Sequence, residues 1–289
     1  MTRIAIAGER GVVSRELRAR IAVHPEIEVV VVPQDVALTA TGAALLADSD
    51  LAVLAVQDFA SASIVAMLPV STRVLDVSPA FRVDPAWVYG LAELPGQGAR
   101  IADAPRVANP GCFATSAILA LAPLVAAGLL DAQAPVFLDA VGGYSTGGLL
   151  MEARALAGEL PAECVYGLAR EHRHVPEIKR FAGLTGPVWF TPKIAGFARG
   201  IRMQVPVVGV ARDRVLEALT HAYRGTQIIV DDTVPSKLPG DEWAGKPGAC
   251  VRAIPHPGGT LVVCSLDNLG KGAVDSAYEN LSLMLGCAP

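Results

Sequence analysis

None of the five cysteines, Cys112, Cys164, Cys250, Cys264 and Cys287, has another at the short spacing that a zinc site or a redox dithiol needs. Widely separated and odd in number, they read as thiols in a reducing compartment, and no metal is expected. Aromatic residues are scarce, at 5%, and no apolar stretch reaches the ~20 residues needed to span a bilayer. Basic runs are missing as well. With a net charge of −4 and no cluster of Lys or Arg to follow a phosphate backbone, neither nucleic acid nor membrane is an expected partner. The opening MTRIAIAGERG lacks the basic segment and longer apolar run of a signal peptide, which points to a cytoplasmic protein.

What remains is aliphatic and small: 52% of the 289 residues are hydrophobic and only 18% are charged. That length suggests two domains, and that balance is expected where short buried strands alternate with small-residue helices, an α/β protein. The apolar run Arg3–Ala7 meets Gly8 and Gly11, and Ser14–Ala22 then spaces its apolar residues as a helix does. Further buried strands are expected at Ile27–Val32, Leu51–Val56 and Arg73–Val77, with the small-residue segment Ala40–Asp48 between the first two. Continuously aliphatic strands separated by helices or short crossovers imply a parallel sheet of the Rossmann type.

From Asn109 the texture changes. Pro110 and Gly111 break the backbone, and Phe113–Ala122 offers a helix that Pro123 is expected to end or kink. Strands are expected at 136–141, 188–190, 201–210, 227–230, 251–254 and 260–266, several joined by Pro- and Gly-rich turns, as in a mixed or antiparallel sheet. The helical pattern Ala273–Leu285 suggests that the chain returns to the first domain. The expected organisation is a Rossmann dinucleotide-binding domain from residues 1–108 and 268–289, and an α+β catalytic and oligomerisation domain with a mixed sheet from residues 109–267.

Four places carry the chemistry. Gly8-x-x-Gly11 follows a buried strand and opens a helix, where amide groups and the helix dipole can hold a pyrophosphate; a steric need for glycine explains the same turn. In Asn109-Pro110-Gly111-Cys112 a thiol stands just before an apolar helix, a setting that lowers its pKa, although a lone cysteine serves equally well as a small buried apolar residue. The other four cysteines lack such a setting and read as structural or incidental. Glu171–Ile178 gathers His172, Arg173 and His174 ahead of a helix that Pro176 can begin. On an extended backbone the two histidines face one way, to serve as acid or base, and Arg173 another, to contact an anion. Gly142–Gly148 follows an apolar strand and supplies backbone amides in a loop, for an oxygen-rich ligand or simply for a connection.

Together these residues resemble the N-acetyl-gamma-glutamyl-phosphate reductases of arginine biosynthesis, especially the shorter of that family's two forms. The family's nucleophile motif stands at Asn109–Cys112. Its Tyr-Gly-Leu and His-x-His-x-Pro-Glu stretch is similar to Tyr166–Leu168 and His172–Glu177, and its asparagine-bearing segment near the nicotinamide is similar to Asp267–Gly272. Trp87–Leu94 and Gly143–Ser145 also fit. The resemblance implies an NADPH-dependent reductase: Cys112 attacks an acyl phosphate, phosphate leaves, and the thioester is reduced to an aldehyde. It assigns acid and base work to His174, with His172 beside it, and substrate contacts to Arg173, Asn109, Gly143, Tyr144 and Ser145. It assigns NADP contacts to Gly8, Gly11, Ser14, Ser78 and Asn268, and it suggests a homodimer or homotetramer.

The chain departs from the family pattern beside the nucleophile and at two other places. Phe113 and Ala114 replace the usual Tyr-Pro, Gly142 replaces a common serine, and Ser14 replaces a third glycine. A reductase of another amino-acid acyl phosphate, aspartyl or aminoadipyl, is therefore an alternative, as is a nicotinamide-binding paralogue without catalysis.

Overall fold

A computed structural model describes residues 1–169 and 171–286; Cys287 lies outside the described residues. The chain divides into two compact units, one from residues 1–110 and 273–289 and the other from residues 111–272.

The first unit begins β1 (Thr2–Ala7), α1 (Val12–Ile21), β2 (Ile27–Val32), α2 (Gln34–Ala37), α3 (Ala40–Ala47) and β3 (Leu51–Leu54). It continues α4 (Asp58–Met67), β4 (Val74–Asp76), β5 (Val88–Tyr89), α5 (Gln97–Asp103) and β6 (Arg106–Ala108). Its six strands pair in the order β2-β1-β3-β4-β6-β5, all parallel. Alternation along the strands sorts the core into two halves. Ile4, Ile6, Leu51 and Val53 pack on one face with Leu17 and Ile21 of α1 and Ile101 of α5. Ala5, Ala7, Ala52 and Leu54 pack on the other with Leu46 of α3 and Ile64 of α4. Strand order reverses beside β1, and ligands of open parallel sheets bind at such a switch point, beyond the carboxyl ends of the strands. Gly8 lies there.

The second unit runs α6 (Cys112–Ala126), β7 (Val136–Gly143), a 3₁₀ turn (Tyr144–Gly147), α7 (Gly148–Leu156), β8 (Glu163–Val165) and α8 (Val175–Ala182). It then runs β9 (Val188–Ala195), β10 (Ile201–Val208), α9 (Arg212–Ala222), β11 (Ile228–Asp231), β12 (Ala249–His256) and β13 (Gly259–Leu266). A seven-stranded mixed sheet, β11-β12-β13-β10-β7-β9-β8, forms the frame. α6 packs against α8, α9 and the central strands β10 and β13, where Ile201, Met203, Val205, Val262 and Cys264 are fully covered or nearly so. The opposite face of the same sheet leaves Phe137 of β7, Trp189 of β9 and Val208 of β10 exposed. The paired residues Phe137 and Trp189 stack there, ring centroids 6.3 Å apart. A π-helical turn (Gly270–Val274) leads into α10 (Asp275–Leu285), which packs on α1 and α5 of the first unit. Among the described residues no helix is long and apolar enough to cross a membrane.

Pro123 does not end α6, although ending it is one of the two outcomes expected of its ring. Proline has no N–H to give the carbonyl four residues back, which is Leu119. That carbonyl accepts instead from the Tyr223 hydroxyl, at 2.6 Å. A partner just beyond α9 thus fills the vacancy, and the helix continues to Ala126.

Candidate active site

Cys112 is the first residue of α6, and Gly111, its N-cap, offers no side-chain cap. The cap is supplied from elsewhere: the Glu177 carboxylate of α8 accepts from the Gly111 N–H at 2.7 Å. Glu177 is buried, and Phe113, Ala114, Thr115 and Ser116 behind the cysteine are buried too, so the first turn of α6 is fixed on its inner side. Gly272 closes another side: a β-carbon built there would stand 2.8 Å from Cys112 Cβ, closer than real side chains come. Cys112 as a whole remains partly exposed.

His172 and His174 come together, but not on an extended backbone. His174 has helical dihedrals and caps α8, and its N–H donates to His172 Nδ1 at 3.2 Å, closing a turn. The two rings lie 4.8 Å apart, with Phe113 at 6.5 and 6.2 Å and Phe190 at 5.0 Å from His172. Tyr166 sits edge-on to His172 at 5.6 Å. Its phenol is pushed up by burial and then by the neighbouring Cys112, while Arg173 opposes the shift. Cys112, Tyr166 and the two imidazoles therefore share one site, and Arg173 stays exposed at its edge. Tyr166 and Glu177 stand in motifs that resemble the family's, and the sequence alone gives neither a role. The available signal was spacing: Glu177 follows His174 by three residues, one helical turn.

The other thiols differ in setting. Burial pushes Cys250 up to about 11 and Cys264 higher still, which removes both from nucleophilic work. Cys164 is exposed on β8.

The Gly142–Gly148 loop is tightly held. Gly143 donates to the Gly200 carbonyl at 2.9 Å, and a β-carbon on it would meet the Ala198 carbonyl at 2.6 Å. Ser145 donates to Ala198 O at 2.7 Å and accepts from Asn268 Nδ2 at 2.8 Å, while Asn268 Oδ1 accepts from Gly200 N–H. Ser145 and Asn268 thus lock each other within the second unit, and Tyr144 beside them is partly exposed. Asp267, buried, pairs with Arg199 at 3.1 Å and accepts from Leu269 N–H.

In the first unit Gly8 has φ +95°, and a β-carbon would lie 2.4 Å from Ala55 O. Gly11 is different: its β-carbon would meet Ala55 O at 3.5 Å, an ordinary contact. Ser14 is fully buried in the first turn of α1, and its Oγ has no hydrogen-bond partner. Ser78 donates to the buried Asp76 carboxyl at 2.8 Å. Burial pushes Asp76 up to about 6, against the bonds from Ser61 and Ser78 and the charge of Arg82. Asn109, fully buried, donates to Ala273 O at 3.1 Å and accepts from Asn280 Nδ2 at 3.0 Å, while Arg82 holds its carbonyl. Asn280 Nδ2 also donates to Gly90 O, and its own Oδ1 is buried without a partner. Among the described residues no cluster of His, Cys, Asp and Glu could hold a metal ion.

Residues 112–268 match the family model described as semialdehyde dehydrogenase, dimerisation domain, which begins on Cys112. A protein of Brucella suis named N-acetyl-gamma-glutamyl-phosphate reductase is 39% identical, with 98% of this chain and 99% of that one covered. Among solved structures, the aspartate semialdehyde dehydrogenase of Francisella tularensis superimposes with a TM-score of 0.77 at 13% identity, covering 99% of this chain and all of the other. That of Candida albicans, determined with NADP, gives 0.70 at 12% identity, with 99% of each chain covered. At such identities these structures bear on the fold. The near full-length match at 39% identity bears on descent, and the chain belongs to the N-acetyl-gamma-glutamyl-phosphate reductase family.

Proposed function

We propose that this protein reduces N-acetyl-gamma-glutamyl phosphate to N-acetylglutamate semialdehyde with NADPH, releasing phosphate, as a cytoplasmic enzyme of arginine biosynthesis. The observation that carries the reading is the partly exposed Cys112 at a helix N-terminus, beside Tyr166, whose ring meets the imidazole pair. Helix N-termini favour thiolate, the form that attacks. The Cys112 sulfur bonds to the acyl carbon, and the carbon–oxygen bond to phosphate breaks, leaving a thioester. A thioester keeps the electrophilic character that a carboxylate lacks. When bound, NADPH supplies the hydride that carries the acyl group to the aldehyde level. His174 exchanges the proton with the substrate oxygen as the sulfur departs, and His172 holds the turn that orients it. Arg173, exposed beside them, meets an anionic group of the substrate, with Tyr144 at the end of β7.

The first unit suits a nicotinamide dinucleotide. Gly8 and Gly11 leave bare backbone at the N-terminus of α1, and the orphaned Ser14 Oγ there has a hydrogen bond to give. The orphaned Asn280 Oδ1 is a second such group, an acceptor suited to a carboxamide N–H. Ser78 and Asn268 are the further cofactor contacts that the family resemblance implies. Asn109 and Ser145, whose side chains are taken up by protein partners, contribute by fixing the backbone from which Cys112 and Tyr144 project. The exposed aromatic pair on the second sheet and the dimerisation-domain match support a homodimer or a homotetramer.

The test is the reverse reaction. Phosphate-dependent reduction of NADP by N-acetylglutamate semialdehyde, with an acyl adduct weighed on the Cys112 peptide, is the expected result. Turnover of aspartate semialdehyde in its place, or no adduct on Cys112, overturns the reading.

A further inference from the structure

We propose that Phe113 is a positioning residue for the imidazole pair, and that Gly142 is the seat that permits it, the two acting as one steric unit. The proposal rests on the catalytic reading of Cys112, His172 and His174. Phe113 follows Cys112 in the first turn of α6, so its backbone is fixed by the same contacts, and its ring is buried. The ring reaches three neighbours: His172 edge-on at 6.5 Å, His174 at 6.2 Å and Phe190 edge-on at 5.6 Å. Its far end rests on β7. A β-carbon on Gly142 would stand 2.9 Å from Phe113 Cζ.

No side chain fits at residue 142 while the ring stays where it is. Carbon atoms in contact sit roughly 3.5–4.0 Å apart, so a methyl group there drives the ring tip back by about 1 Å. The ring is rigid, its root is held, and the imidazoles lie beside it, so the displacement passes to them. A misplacement of that size at a reacting group costs about 100-fold in rate. The same β-carbon would also meet Thr146 Cγ2 at 2.8 Å and, less closely, Ile201 Cγ1 at 3.4 Å. Thr146 is held by its hydroxyl bond to Gly143 O at 2.7 Å. The two closest neighbours can be relieved separately, because Thr146→Ser removes the methyl and keeps the hydroxyl, whereas Phe113→Leu removes the ring tip.

The experiment measures kcat, KM and the pH profile for semialdehyde oxidation in the wild-type protein, Gly142→Ala, Phe113→Leu, and Gly142→Ala combined with Phe113→Leu or with Thr146→Ser. Gly142→Ala is expected to lower kcat roughly 10- to 100-fold with KM little changed, and to move the pH limb of the imidazole pair. Of the titratable groups, Tyr166 faces that pair, edge-on to His172, and Cys112 and Arg173 act in turn on Tyr166; Glu177 lies one turn along α8 from His174. Adding Phe113→Leu is expected to leave activity no lower than in Phe113→Leu alone, whereas adding Thr146→Ser leaves the defect in place. Multiplying defects in the Phe113→Leu combination, or recovery with Thr146→Ser, overturns the proposal.

A second readout needs no substrate: the pH dependence of Cys112 alkylation by iodoacetamide, followed on the Cys112 peptide. A shift between wild type and Gly142→Ala that Phe113→Leu removes is expected, and superimposable profiles count against the steric unit. If no semialdehyde is oxidised by the wild-type protein, the catalytic reading has failed, and the alkylation profiles still decide whether Phe113 and Gly142 act together.

Discussion

Glu177 Oε1 lies 2.7 Å from the amide nitrogen of Gly111, so the helix that carries the histidines is tied directly to the residue before the nucleophile. His174 and Glu177 occupy the same turn of α8. One hydrogen bond therefore sets the register between the turn of the imidazoles and the first turn of α6. Glu177→Ala is expected to lower kcat by roughly 10- to 100-fold and to cost about 1–3 kcal/mol of stability, because it leaves a buried N–H unmatched. Glu177→Gln keeps an acceptor and is expected to recover most of both. Urea midpoints with kcat measure the pair; equal losses in the two variants would mean that charge, not the bond, matters.

The Tyr223 hydroxyl is the partner of the carbonyl that Pro123 cannot serve. Tyr223→Phe should cost about 1–3 kcal/mol with kcat unchanged. Pro123→Ala restores an amide to Leu119, so in that background the same tyrosine change should cost markedly less. A double-mutant cycle in chemical unfolding reads the coupling, and a coupling near zero rejects the account.

Asp76 makes stability depend on pH. Its folded-state value is raised to about 6 by burial. The protonated form thus favours the folded state, a contribution fully present below the unfolded value near 4 and lost as pH rises through about 6. Over that window the protein should lose no more than about 3 kcal/mol from this group. In Asp76→Asn that part of the slope should disappear. Unfolding free energies of both proteins from pH 4 to 7 supply the comparison, and parallel curves would contradict it.

Gly8 and Gly11 should separate structure from ligand binding. Gly8→Ala meets both a left-handed backbone and Ala55 O at 2.4 Å, and is expected to cost 1–3 kcal/mol or more. Gly11→Ala meets only an ordinary contact, and should leave the melting temperature nearly unchanged while weakening NADPH about 10-fold. Fluorescence titration with NADPH beside thermal melts distinguishes the two; unchanged affinity in Gly11→Ala would remove that residue from the cofactor loop.

The first sheet was legible because its signal is local. Arg3–Ala7, Gly8 and the helix after it follow one another within a single turn of the fold, and buried aliphatic strands announce themselves by composition alone. The continuation of α6 was not legible, since the hydroxyl that sustains it comes from Tyr223, a hundred residues downstream. The histidine pair was legible as a pair but not in its geometry: period-two spacing suggested a strand, whereas the His174 N–H folds back on His172. α7 was hidden behind Gly147 and Gly148, which read as a loop; the spacing of Glu177 from His174 puts the two on one helical turn, but the partner of Glu177, the Gly111 N–H, comes from a distant part of the chain. The close packing at Gly142 belongs to the same class, since only the placed Phe113 ring and Thr146 methyl show why no side chain fits there.

Gly272 gives the nucleophile a back wall made of main chain. Its β-carbon would come within 2.8 Å of the Cys112 methylene, so any side chain at residue 272 would push on the carbon that carries the sulfur. For a covalent inhibitor, the neighbour on that side is peptide rather than side chain, and a substitution at residue 272 to escape it would disturb the thiol itself.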